Sequence, residues 1–359
     1  MKAFKLGLVV MAAALISLAL GAPAMAFHDD GVADCAGCHT MHNSQDGAAV
    51  TPTPGDHLLI MSDPSSTCLE CHAAYGQMTT DGSSRGSGGD FYWLTKTYTW
   101  SAHGHASSSE GDSHGHNIIA GDFGLPLPDA VLGTIAPGGG DVGELACSSC
   151  HDPHGKGEGP LLLWGTEKID FSADAPVLKG LSRRTTVPTG TSQGGYVAND
   201  NHVAYGSGMS DWCANCHTDF LIGDQMHPVD EQMGSTYAGN YNDYVSTGVM
   251  TGDQATARWE AVPFETNQSQ ADLDADPDAN STEVGPTASS KVMCLSCHRA
   301  HATAFQDIGR WDFNAAFIVE DSHPTLAEEP NSYYGVAYVP GDDVDFSQRS
   351  LCNKCHVQD

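Results

Sequence analysis

The sequence has 359 residues, of which 17% are charged and 40 are glycine, and its formal net charge is −30. A surface this acidic repels phosphate, which disfavours nucleic acid and anionic lipid as partners. Hydrophobic residues reach 40%, yet a good share of them fall in the first 26 positions, so the remainder is poor in aliphatic core formers and something else must organise it.

In chain order, Met1, Lys2 and Lys5 precede an apolar run from Leu6 to Leu20 that closes on Ala24-Met25-Ala26, the pattern of a secretory signal peptide over 1–26. The run is short for a membrane span and no later segment approaches one. The expected mature chain, 27–359, carries 13 basic against 45 acidic residues and is exported through the periplasm. CAGCH (35–39) and CLECH (68–72) come first. TTDGSSRGSGGD (79–90) then reads as a loop, FYWLTKTYTW (91–100) as strand-like and GTIAPGGGD (133–141) as a second loop. After CSSCH (147–151) and CANCH (213–217) comes the acidic segment DLDADPDAN (272–280). Asp272, Asp274, Asp276 and Asp278, with Glu283 beyond, resemble a calcium loop in outline. Pro277 stands where the turn glycine is needed, so a solvated acidic loop is the better reading. CLSCH (294–298), the strand-like YYGVAYVP (333–340) and CNKCH (352–356) follow. The first cysteines of successive motifs are 33, 79, 66, 81 and 58 residues apart, too uneven for a repeat of fixed period. The expected fold is mostly irregular coil with short helices around the CxxCH turns and few strands, in one continuous domain.

All 12 cysteines fall in these six units. Pairs three apart with a His directly after them have the attachment spacing of c-type haem rather than of a disulfide framework, and zinc ribbons have no need of that His. Each of the pairs Cys35 and Cys38, Cys68 and Cys71, Cys147 and Cys150, Cys213 and Cys216, Cys294 and Cys297, and Cys352 and Cys355 lies on one side of a turn. Each can form thioethers to the two vinyl groups of one porphyrin. His39, His72, His151, His217, His298 and His356 are then the proximal iron ligands of six haem c groups. Six haems add roughly twelve propionate carboxylates. Each iron also ties a local motif to a distant residue, so haem replaces part of the missing core and the haem-free chain is expected to be largely unfolded.

Of the 18 histidines, the twelve outside the CxxCH units are candidates for the opposite axial positions. Three motifs extend to CxxCHxxH, adding His42, His154 and His301. Residues three apart on a turn project from one side, with Cβ atoms about 5–6 Å apart, whereas axial ligands approach from opposite faces. Each extra His therefore serves a different haem or none, and serving another brings two haems into the close approach that electron tunnelling needs.

The segments DFYWLTKTYTW (90–100), GHNIIAGDF (115–123), CSSCHDPHGK (147–156), VAYGSGMSDWCANCHTD (203–219), CLSCHRAHA (294–302) and LCNKCH (351–356), with the start FHDDGVADCAGCHTMHNS (27–44), carry a specific resemblance. They are similar to the extracellular, filament-forming hexahaem c-type cytochromes of the OmcS type, in the same order over nearly the whole mature chain. The loops between them differ. The resemblance implies six bis-His haems, alternately stacked and perpendicular, with His28, His42, His116, His154, His227 and His301 as distal ligands. It further implies that His42 ligates a haem of the next subunit, giving a head-to-tail homopolymer. His57, His103, His105, His114, His202 and His323 match no His of the family and are expected to face solvent.

The expected function is long-range electron transfer outside the cell or on its outer surface, toward other redox proteins or extracellular acceptors, without catalysis. A multihaem reductase needs one iron with a labile position, and no motif here ends in Lys. A discrete periplasmic or cell-surface carrier is the other alternative, separated from the filament reading by the His42 segment.

Overall fold

In the computed structural model the described residues are 35–45, 48–49, 58–73, 88–102, 104–125, 128–154, 163–180, 203–221, 228–229, 231–244, 250–252, 262–275, 285–316, 322–325, 328 and 351–356. Most of them are coil. The helices are α1 (Cys35–Cys38), α2 (Pro64–His72), α3 (Cys147–Cys150), α4 (Met209–Cys213), α5 (Gly234–Asp243), α6 (Gln270–Ala275) and α7 (Cys294–Cys297). The strands form antiparallel pairs: β1 (Ser44–Gln45) with β2 (Ala48–Ala49), β3 (Tyr98–Ala102) with β4 (His105–Ser109), and β5 (Val177–Gly180) with β6 (Val203–Ser207). No described helix is long and apolar enough to cross a membrane.

Every CxxC pair sits on a helical turn: α1, α2, α3 and α7 hold the first, second, third and fifth, the fourth begins in α4 and runs into the turn after it, and the sixth begins in a 3-10 turn, Leu351–Lys354, and ends in the turn that follows. A period near three to four residues is what puts two cysteines three apart on one side. Helix α2 starts where Asp63 accepts the Ser66 amide at 2.7 Å and Pro64 takes the first helical position, whose amide would have no partner.

The strand-like run 91–100 divides in two. Phe91–Thr95 is a 3-10 turn because Asp90 caps it, accepting the Tyr92 amide at 2.9 Å, and the strand begins only at Tyr98. YYGVAYVP lies outside the described residues. The acidic segment opens as helix α6 rather than as a loop. Asp272 accepts the Ser269 hydroxyl at 2.6 Å and Asp274 pairs with Lys179 at 2.8 Å, while 276–284 lie outside the described residues.

The uneven motif spacing hides a structural recurrence. In the first, third and fifth motifs the proximal His leaves its helical turn into an antiparallel bridge: His39 with Leu59, His151 with Leu163 and His298 with Gly309. The amide just after each bridge partner, of Ile60, Trp164 and Arg310, donates to the carbonyl of the motif's second cysteine, at 3.0, 3.1 and 2.8 Å. The second and fourth motifs dock on the third and fifth in one way. The Cys147 amide donates to Ser65 Oγ and the Cys294 amide to Ser210 Oγ, each at 3.2 Å. Both serines stand three residues before the first cysteine of their own motif, and the two docked pairs are 79 and 81 residues apart in sequence.

The apolar core is divided among these junctions. Leu69, Phe91, Trp93, Ile118 and Leu125 pack with Cys147 at the first junction; Leu178, Val203, Tyr205, Met209, Met293 and Leu295 pack with Cys213 at the second. A third cluster, Met233, Tyr241, Val262 and Phe264, packs against Cys355.

Candidate haem-binding site

The twelve cysteines form no disulfide. Cysteines of successive motifs instead influence one another. Burial, and then Cys71, raise the Cys38 thiol. Cys68 and Cys147 hydrogen-bond sulfur to sulfur, which drives Cys68 up and Cys147 down. Burial pushes Cys150 up to about 12, with Cys216 adding to it. Cys213 and Cys294 bond as Cys68 and Cys147 do, raising Cys213 and bringing Cys294 down to about 7. Burial takes Cys297 to about 12, with Cys352 contributing. Direct sulfur-to-sulfur bonding thus joins the second motif to the third and the fourth to the fifth, while at the other three junctions the next motif's cysteine acts only through its charge.

The histidines form pairs between motifs. The ring centres of His39 and His154 are 6.2 Å apart with planes at 9°, those of His116 and His217 6.0 Å at 46°, and those of His151 and His301 6.3 Å at 68°. Face stacking would fix the angle along with the distance. A nearly constant distance at three unlike angles is what a linear nitrogen–metal–nitrogen axis gives, because rotation about that axis changes only the angle. With a metal–nitrogen bond of about 2 Å and about 1.1 Å from nitrogen to ring centre, two trans imidazoles stand about 6.2 Å apart. Among the described residues no three His, Cys, Asp or Glu side chains gather as a bare metal ion would need. The pairs therefore fit an iron whose other four ligands come from a macrocycle, with the adjacent CxxC sulfurs to hold it.

Backbone carbonyls fix the tautomers. Nδ1–H of His116 donates to Ala300 O at 2.6 Å, that of His217 to Pro137 O at 2.8 Å and that of His298 to Asp307 O at 2.6 Å. A carbonyl can only accept, so Nδ1 carries the proton and the Nε2 lone pair is left for a metal. Burial lowers His116 and His298 and pushes His301 down to about 3, favouring the neutral form that ligates.

His116 and His301 are set side by side by the backbone. The 301–303 segment lies between 88–90 and 114–116: the His301 amide donates to Gly88 O at 2.6 Å, Asp90 to Ala302 O at 3.1 Å, His116 to His301 O at 2.9 Å and Thr303 to His114 O at 2.9 Å. Approach this close requires Gly89, whose φ is +93° and where a Cβ would fall 2.0 Å from Ala302 O. Phe91 stacks on His301 at 4.7 Å, and Asp152 accepts the His154 amide at 2.9 Å, turning that ring toward the first motif.

Of the expected distal ligands, His116, His154 and His301 thus face proximal histidines, His28 and His227 lie outside the described residues, and His42 is exposed. His72 ends α2, and the His356 ring meets Tyr237 at 5.3 Å. Two histidines expected to face solvent do not. His114 is completely buried and bonded at both nitrogens, and His323 is half-buried, its ring 4.5 Å from Trp100 and nearly parallel to it. His105 is exposed, and His57, His103 and His202 lie outside the described residues. Ser65 and Ser210 were the positions missed. Their shared place three before Cys68 and Cys213, with Ser149 and Ser296 one before the second cysteine of the docked motif, was a readable signal.

No protein-family model matches the sequence. The chain is 35% identical, over 100% of both lengths, to the C-type cytochrome OmcS of Geobacter sulfurreducens (strain ATCC 51573 / DSM 12127 / PCA). Two solved structures are similar: the OmcS nanowires of Geobacter sulfurreducens seen by cryo-electron microscopy, at TM-score 0.71 and 34% identity, and the outer membrane cytochrome S filament of the same organism, at 0.71 and 32%. Each comparison covers 92% of this chain and 99% of the other.

Proposed function

Because the chain belongs to the OmcS family of c-type cytochromes, we propose that it carries electrons over long range outside the cell, as an electron-transfer protein rather than an enzyme, through six bis-His haems in a head-to-tail filament. The observation that carries this reading is the pairing of His39 with His154, His116 with His217 and His151 with His301 at 6.0–6.3 Å, together with the sulfur-to-sulfur bonds of Cys68 with Cys147 and Cys213 with Cys294. Bound haem supplies a one-electron iron couple. The chain's own part is to attach it through the twelve CxxC cysteines, close both axial positions with imidazole, and hold neighbouring sites in contact. Closed axial positions leave no iron open to substrate, which argues against the reductase. In this reading the mature chain, 27–359, is one haem-cored unit exported to the outer cell surface or beyond it.

The pairs also suggest how subunits join. The His154 ring of the third motif faces His39 of the first, and the His301 ring of the fifth faces His151 of the third. By the same rule the first motif has His42 to lend outward, and the fifth has His298, tautomer fixed by Asp307, without a described histidine at that separation. His42 is exposed between apolar Met41 (78% exposed) and Leu58 (53%), while Phe313 (37%) flanks His298. A bond from His42 of one subunit to the haem at His298 of the next does not close on itself and so propagates as a fibre. His72 and His356 then take His28 and His227, in an order left to experiment.

Replacing His42 with Ala tests both parts. The expected product keeps six covalent haems, one of them high-spin and able to bind carbon monoxide when reduced, and stays monomeric in electron micrographs. Filaments with six low-spin haems would sink the trans bond and leave a carrier that associates by other means. Carbon monoxide binding to the unaltered protein at one haem would favour the reductase.

A further inference from the structure

Lys354 stands inside the sixth attachment motif, between Cys352 and Cys355, and is 1% exposed. Its ammonium lies 4.3 Å from the centre of the Tyr241 ring and 5.8 Å from that of Tyr244. Burying an ammonium is costly unless its charge is met, and two electron-rich ring faces meet part of it. Both tyrosines belong to α5 and its C-terminal cap. The same helix sends the Asn240 side-chain amide to Cys355 O at 2.9 Å and sets the Tyr237 ring 5.3 Å from His356. One helix therefore grips the carbonyl, the proximal imidazole and the cation of this motif together.

Buried charge is also sorted along the chain. Among the described residues the buried Lys and Arg side chains are Arg299, Arg310 and Lys354, all in or beside the last two motifs. Of the buried carboxylates, Asp90 and Asp152 lie earlier and Glu265 lies beside Cys294 of the fifth motif. Lys168, beside Cys150 and Cys216, is only half-buried.

We propose that Lys354 sets the potential of the site formed by Cys352, Cys355 and His356, holding its iron more readily reduced than a neutral residue there would. The inference rests on the haem assignment above. Reduction adds one electron to that iron, taken from the adjoining site, and moves no proton at Lys354. A fixed positive charge screened by protein rather than water favours the added negative charge. In a chain whose net charge of −30 disfavours that electron everywhere, a caged ammonium makes the carboxyl-terminal site a local exception.

The test is a potentiometric titration, read in the visible spectrum, of purified holoprotein carrying Lys354→Met or Lys354→Arg, with haem counted as its pyridine complex. For Lys354→Met one of six components is expected to become at least tenfold harder to reduce, about 59 mV for one electron, with the other five in place. Lys354→Arg is expected to titrate as the unaltered protein does. Where Met leaves fewer than six haems, Lys354→Gln, neutral but able to hydrogen-bond, gives the same reading. Curves that superimpose on the unaltered protein, or an Arg variant shifted as far as the Met variant, overturn the proposal, the second by showing that packing and not charge is responsible. Fewer than six haems in the unaltered protein would instead count against the haem assignment itself.

Discussion

His114 has its Nδ1–H on the Trp93 carbonyl at 3.0 Å and accepts the Ser109 hydroxyl at Nε2, at 2.6 Å. Both nitrogens are thus spent, and burial lowers the pKa further, so the ring is a neutral cross-link between the 3-10 turn and strand β4 rather than a ligand. His116, two residues on, spends only Nδ1 and presents Nε2 to His217. Residue type cannot separate the two; their hydrogen bonds do. His114→Leu is expected to leave all six haems attached and low-spin while lowering stability by about 1–3 kcal/mol, because the Trp93 carbonyl and Ser109 hydroxyl lose a buried partner. Denaturant midpoints with the visible spectrum of the folded variant check it. A haem turned high-spin would make His114 a ligand after all. The proximal histidines were expected from sequence alone, since c-type attachment places that ligand directly after the second cysteine.

At the scale of elements, the repeated unit is a helical turn of one motif docked on that of the next through a single serine. Ser65 and Ser210 are buried, and each accepts the amide that opens the partner motif, an amide with no helical acceptor of its own. Ser65→Ala and Ser210→Ala are each expected to cost about 1 kcal/mol, and the double variant their sum within about 0.5 kcal/mol, because the two junctions share no partner. Unfolding followed at the Soret band gives all three values. A double variant no worse than either single would mean that the junctions act as one unit. The turns on which the cysteines sit were legible, because the CxxC period demands them. The 3-10 turn at Phe91–Thr95 was not, since the Asp90 side chain, lying just before the run, decides between turn and strand.

Among the described residues, separate modest apolar clusters, three of them seated at attachment motifs, stand in place of one continuous core. Bonds through iron would tie 39 to 154, 116 to 217 and 151 to 301, long closures that add to the bridges and serine contacts holding the coil between them. Chain made without haem attachment is therefore expected to show no cooperative thermal transition in far-UV circular dichroism, whereas the holoprotein shows one. A sharp transition in the haem-free chain would mean that the clusters suffice alone.

The sequence by itself marked the chain as a c-type cytochrome and carried the expectation of six haems with one proximal histidine each, because covalent attachment is local: two sulfurs and an imidazole within five residues. It also barred His42, His154 and His301 from the iron of their own motif, because residues three apart on a turn project from one side, and left each to serve a different haem or none. Which histidines the rings of His154 and His301 face, His39 and His151, was decided only in three dimensions. The partners of His39 and His151 are over a hundred residues away in sequence, brought there by Gly89, by the bridges at Leu59 and Leu163 and by the serine-docked turns. Contacts of that kind depend on how coil segments cross, and no local period records a crossing.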